Sequence, residues 1–200
     1  TGLMARFGME AVAGFGIAAK VERFAIIIIG ALVAILVPFF GQNYGARRYE
    51  RIREGLKVSG RLIIVSSLII WGLLLIFSRQ IGAIFSEDPE VITVFRKYIT
   101  LVPLFYGAYG IQQVGNSFFN AINHPIKATS ITVFQMFIVF IPMSFVLSSQ
   151  FGERGIFMAL SLSFLLAGGL AYGMINKNIK EWNYESTSNV GQSKSREENE

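Results

Sequence analysis

The stretch FAIIIIGALVAILVPFF, Phe24–Phe40, runs for seventeen residues without a charge. A helix that crosses a bilayer needs roughly 17–25 predominantly apolar residues. A barrel strand is shorter and alternates apolar with polar positions; Phe24–Phe40 does neither. Working outward, the uncharged run extends to Ala46, and four more follow: Leu62–Ser78, Tyr98–Ile126, Ala128–Gly152 and Gly155–Asn176. Five transmembrane helices are therefore expected, over approximately 11–41, 58–79, 92–121, 127–149 and 154–177. The fold class is an all-α integral membrane protein, a polytopic helix bundle.

Composition agrees. Hydrophobic residues make up 52%, charged residues only 16%, with eighteen Phe and twenty Gly, and the mean hydropathy is +0.51. Soluble domains carry about 25% charge. There is no cysteine, which excludes disulfides, thiolate metal sites and thiol nucleophiles. The net charge of +5 is not a nucleic-acid footprint, because the charges punctuate apolar runs rather than line one face.

The first helix is expected to be longer than the membrane. Ala11–Ala19 is also apolar, and only Lys20, Glu22 and Arg23 interrupt it. At about 1.5 Å per residue, Ala11–Phe40 exceeds a ~30 Å core, so one end protrudes, tilts or lines a wet cavity. Pro38, Pro103 and Pro142 lie inside or near spans, where neighbouring groups must re-satisfy the backbone. The region 1–178 reads as one transmembrane lobe. Residues 179–200, polar and aperiodic from about Glu181, read as a disordered cytoplasmic tail.

Orientation follows the Lys/Arg bias of short connections. One side receives Arg47, Arg48, Arg51, Arg53, Lys57, Arg61, Lys127, Lys177 and Lys180; the other receives Arg6, Arg79, Arg96, Lys97 and Arg154. Nine against five places the C-terminus in the cytoplasm and the N-terminus outside. A chain that starts outside at Thr1, with no signal pattern, is expected to lack upstream sequence.

Several local patterns then fall in order. GFGIAAKVER (residues 14–23) opens the first span and GQNYGA (41–46) closes it. FSEDPEV (85–91) precedes the third, NSFFNA (116–121) ends it before His124-Pro125, and FGERGIF (151–157) leads into the fifth. Together, over residues 1–178, they resemble the C-terminal half of the multidrug and toxic compound extrusion (MATE) family. The resemblance implies one lobe of a two-lobe, twelve-helix transporter, with Thr1–Gly8 as the end of a preceding helix. It implies a secondary antiporter at the plasma membrane that exports cationic or amphipathic organic compounds in exchange for sodium ions or protons. It also implies no further cofactor, and a missing N-terminal lobe as partner. The lobes of such repeat-built transporters rock around a central cleft.

The third span carries the candidate cleft residues. At 100° per residue, Tyr106, Tyr109, Gln113, Asn116 and Asn120 fall within an arc of about 80°, with Gln112 about 40° beyond it. Such groups are costly against lipid, so the stripe faces either a wet cleft or another helix through hydrogen bonds. Glu22 is the only acid near a membrane segment and so the one candidate ion-coupling group. It pairs with Lys20, Arg23 or a cation, unless all three mark the interface and snorkel outward.

Other features have structural readings. Gly155, Ala159, Ser163, Ala167 and Ala171 form a small-residue ladder for close helix packing. Asp88 and Pro89 read as an N-cap and first helical residue. His124 stands alone, without the companions a metal site needs. The Arg cluster 47–61 is a topology determinant that also suits anionic headgroups. No nucleophile–base pair stands out, so an enzyme is not expected. Two rivals remain: a lipid-linked oligosaccharide flippase, which calls for several buried cations, and a non-transporting membrane subunit, which needs no polar stripe.

The charge bias predicts that single cysteines placed between residues 47 and 57 react with an impermeant thiol reagent only after membrane disruption, while cysteines at 87 or 153 react in intact cells. Labelling in the opposite order would reverse the orientation.

Overall fold

The computed structural model describes residues 2–182 with their side chains; the expected tail lies, from residue 183 on, outside the described residues. Five long helices are present: α1 (Met9–Gly45), α2 (Tyr49–Phe85), α3 (Pro89–Ala121), α4 (Pro125–Phe151) and α5 (Glu153–Trp182). Each is long and apolar enough to span a membrane. A 3-10 turn, Met4–Phe7, precedes α1 and buries Met4. Among the described residues there is no strand.

The helices outrun the expected spans. Most of the basic connection after the first span is helix: Arg51, Arg53, Lys57 and Arg61 ride on the opening turns of α2. Only Ala46–Arg48 makes the turn, with Arg47 left-handed at φ 54°. The amide of Arg48 donates to the Asn43 carbonyl at 2.8 Å and that of Arg47 to Tyr44 at 3.0 Å, the paired closure of a Schellman end. Asn43 adds a side-chain bond to the Phe39 carbonyl at 2.8 Å, which explains why GQNYGA ends a helix. The α3–α4 connection repeats the device: Asn123 is left-handed at φ 61°, and the His124 amide reaches the Phe119 carbonyl at 2.7 Å. At the start of α3, Asp88 accepts from the Glu90 amide at 2.8 Å with Pro89 in the first position.

The prolines mark three different accommodations. α1 continues through Pro38. Pro103 sits in a 3-10 turn, Val102–Phe105, inside α3; beside it the Thr100 carbonyl takes the indole N–H of Trp71 from α2 at 3.3 Å. Phe134–Phe140 in α4 is a π-helical stretch, immediately before Pro142, whose ring displaces the carbonyl four residues back.

α3 is the central helix, packed against α1, α2 and α5; α4 closes the bundle against α5. The least buried span is α2, whose Leu62, Ile69 and Ile76 are 51%, 57% and 69% exposed. Apolar side chains so exposed suit lipid. The ladder on α5 does what its spacing predicts: Ala159, Ser163, Ala167 and Ala171 are all wholly buried. A Cβ on Gly115 of α3 would stand 2.9 Å from the Ala171 Cβ, and one on Gly168 would stand 2.5 Å from the Ala108 carbonyl oxygen. Both contacts need backbones in near contact.

The packed helix does not stop at residue 178. Ile179 is buried, and the Trp182 ring lies 4.8 Å from Tyr49, 5.3 Å from Tyr44 and 5.7 Å from Phe118. Residues 179–182 thus belong to the lobe rather than to a tail. The polarity of the surrounding sequence concealed a single aromatic anchor.

Adjacent glycines supply a test. Replacing Gly168 with Leu should cost about 1–3 kcal/mol through overpacking, read as a lower melting temperature in detergent. A Cβ on Gly169 would meet nothing within 4 Å and the residue is exposed, so Gly169→Leu should leave it unchanged.

Candidate functional site

Glu22 lies on α1 one turn after the wholly buried Ala18, at the edge of the stripe that continues through Ala25 and Ile29. A carboxylate there turns into the bundle, while Lys20 and Arg23, about 200° and 100° around the helix, are exposed. The expected pairing of Glu22 with Lys20 or Arg23 is not formed: among the described residues the ion pairs are Arg53–Glu50 and Lys97–Glu153. Glu22 is half-buried and sits instead beside the phenols of Tyr98 and Tyr106 on α3. Both tyrosines are wholly buried. Neither hydroxyl is aligned on a hydrogen-bond partner among the described residues, so the carboxylate and phenols are close without being locked together.

This arrangement joins residues that the sequence kept apart. Tyr106, placed with the cleft stripe, belongs to the Glu22 cluster in the interior. Tyr98 was missed; it lies eight residues before Tyr106, across the 3-10 turn, and at 100° per residue an unbroken wheel sets it about 80° away, on the edge of the same arc, so a signal for it was present.

The other stripe residues divide by environment. Tyr109 is half-buried with its ring 5.1 Å from Phe164 of α5. Gln113 and Asn116 are half-buried and Asn120 is exposed. The Asn116 amide donates to Gln113 Oε1 at 3.2 Å and to Thr132 Oγ1 of α4 at 3.3 Å. Gln112, just off the arc, is 1% exposed and donates to Gln135 Oε1 at 2.6 Å. Gln135 stands in the π-helical stretch of α4 and was also missed; its signal was a lone amide in an apolar run. Gln112 Oε1 and Asn116 Oδ1, one turn apart, are buried and have no partner among the described residues. The face thus combines packing bonds with spare neutral acceptors. Among the described residues no three His, Asp or Glu side chains gather as metal ligands. A cavity of about 550 Å³ at the Glu153 end, bordered by Glu10, Glu90 and Lys97, shares no residue with the stripe.

The family model described as MatE matches residues 1–146. The chain belongs to the MATE family. Among curated relatives of this MATE chain, the FAD transporter of Shewanella oneidensis is 29% identical over 170 residues, which cover 85% of this chain and 38% of the relative. The multidrug export protein MepA of Staphylococcus haemolyticus is 27% identical over 174 residues, covering 84% of this chain and 37% of MepA. The crystal structure of the Vibrio cholerae MATE transporter VcmN in its bent form superposes with a TM-score of 0.86 at 24% identity, covering 91% of this chain and 42% of VcmN. A MOP superfamily transporter from Pyrococcus furiosus superposes with a TM-score of 0.82 at 17% identity, covering 88% of this chain and 40% of that one. These likenesses establish the fold. The chain spans about two-fifths of the length of these relatives, the share one lobe of a two-lobe MATE fold occupies.

The Gln112–Gln135 contact allows a quantitative check. Gln112→Leu should strand the Gln135 amide and destabilise the lobe by about 1 kcal/mol, and adding Gln135→Leu should recover part of that loss. Unfolding by denaturing detergent would measure it; additive losses would show that the two amides do not interact.

Proposed function

We propose that this MATE chain is one lobe of an ion-coupled antiporter that exports cationic or amphipathic organic compounds across the plasma membrane, working with a second lobe and with its C-terminus in the cytoplasm. Family membership supports the reading, and the observation that carries the mechanism is Glu22 turned inward beside Tyr98 and Tyr106 with no ion-pair partner among the described residues. A carboxylate in that position suits a sodium ion or a proton, and the adjacent phenols supply oxygen ligands or hydrogen-bond donors. Tyr106 continues the line of α3 toward Tyr109, Gln113, Asn116 and Asn120, so occupancy at Glu22 would be felt along the proposed cleft wall. Tyr109 offers an aromatic face to cations, and the amides offer neutral hydrogen bonds.

The Shewanella oneidensis relative is named for FAD, an anionic cargo. The stripe of this chain is neutral, and Lys20 and Arg23 point away from the bundle interior. That supports cations and amphipaths over a pyrophosphate, and it weighs equally against an oligosaccharide-lipid flippase. The relatives named as a multidrug export protein and a probable multidrug resistance protein agree with it.

In the complete transporter, Glu22→Gln should reduce ion-gradient-driven dye efflux at least about tenfold with normal membrane insertion. Leu at 113 or 116 should change substrate preference instead. The 200-residue chain alone should insert without exporting. Full efflux by Glu22→Gln would remove Glu22 from coupling. Loss of folded protein, rather than altered preference, in the Leu variants would return Gln113 and Asn116 to a packing role.

A further inference from the structure

At the end of the bundle where α2 begins and α5 finishes, a groove of about 380 Å³ opens between these two antiparallel helices. Three cations border it: Arg53 and Lys57, one turn apart on α2, and Lys180 on α5. Among the described residues no acidic side chain lines it. Glu50 meets Arg53 at 3.4 Å in an exposed contact and stands outside the groove. Deeper into the membrane the walls become apolar. From Lys180 to Tyr172 the α5 backbone descends eight residues, about 12 Å, and Ile179, Ile175 and Tyr172 line that descent with one amide, Asn176, among them, while Leu56 stands between Arg53 and Lys57. Tyr172, at the deep end of the groove, is 62% exposed. The groove is therefore continuous with the lipid-facing surface and open from the side.

We propose that this groove is a binding site for a phospholipid with an anionic headgroup, held as an annular lipid and separate from any transported substrate. Charge and depth both specify the occupant. Three cations at headgroup level complement a phosphodiester and a second anionic or polar headgroup element. The apolar wall below receives an acyl chain, which a free phosphate does not possess. The size is within the roughly 300–1,000 Å³ of small-ligand sites. The groove shares no residue with the Tyr106–Asn120 stripe or with Glu22, so it is independent of the transport reading. Of the other basic residues at this end, Arg47, Arg48, Arg51, Arg61 and Lys177 are exposed and Lys127 is half-buried, and none lines it. The site is thus more local than a diffuse basic surface.

The test is native mass spectrometry of the intact protein in detergent, titrated with phosphatidylglycerol or with phosphatidylcholine of the same acyl chains. Phosphatidylglycerol should bind at least about tenfold more tightly. One interfacial cation is worth about fivefold, so Lys57→Gln should weaken phosphatidylglycerol about fivefold and Lys57→Gln/Lys180→Gln about 25-fold, with phosphatidylcholine unchanged. The pair Arg47→Gln/Arg48→Gln removes equal charge outside the groove and should shift binding less than twofold. Glycerol phosphate at equal concentration should not compete. Should the double variant fold poorly, the single substitution at exposed Lys57 carries the comparison. Equal affinity for the two lipids, an equal loss in the Arg47/Arg48 pair, or displacement by glycerol phosphate would each overturn the assignment.

Discussion

The close approach of α3 and α5 is the contact on which the rest of this lobe depends. Gly115 meets Ala171, and Gly168 meets the backbone of Ala108, at separations that exclude any larger side chain. In a bilayer there is little hydrophobic force between helices, so association rests on dispersion and on what the side chains allow backbones to reach. The small residues of α5 let α3 sit at the centre of the bundle. Once α3 is there, its faces are assigned. Tyr98 and Tyr106 turn to α1, Gln112 and Asn116 to α4, and Tyr109 to Phe164.

The second constraint is the disposal of polar groups in an apolar interior. Interhelical hydrogen bonds are individually modest, averaging about 0.6 kcal/mol, but leaving a partner unmatched is costly. The lobe satisfies some of its amides across helices: Gln112 with Gln135, and Asn116 with Thr132. It leaves others unsatisfied among the described residues, including two amide oxygens on α3 and the phenols beside Glu22. Among the described residues four of the five such atoms lie on α3 and the fifth, Ser67 Oγ, on α2.

The sequence by itself determined the five spans and the all-α class, because a spanning helix is a local property: uncharged length and hydropathy are sufficient to specify it; the family was legible only through the resemblance of its ordered motifs. Helix ends were partly legible for the same reason. Asp88-Pro89 closes its own turn, and the small-residue ladder of α5 needs only its four-residue spacing. Tertiary structure alone decided which polar groups meet. Tyr98, Gln135 and Trp182 went unread, and Tyr106 moved from the cleft stripe to the Glu22 cluster. The physical reason is that spans apolar on nearly every side carry no periodic mark of their inner face. Helix rotation and depth are then set by packing against neighbours, and a 3-10 turn or a π-helical stretch shifts the register within a single helix. The partner of Glu22 lies 76 residues away on one side of such a turn and 84 on the other, a pairing that only the close packing of α1 against α3 brings about.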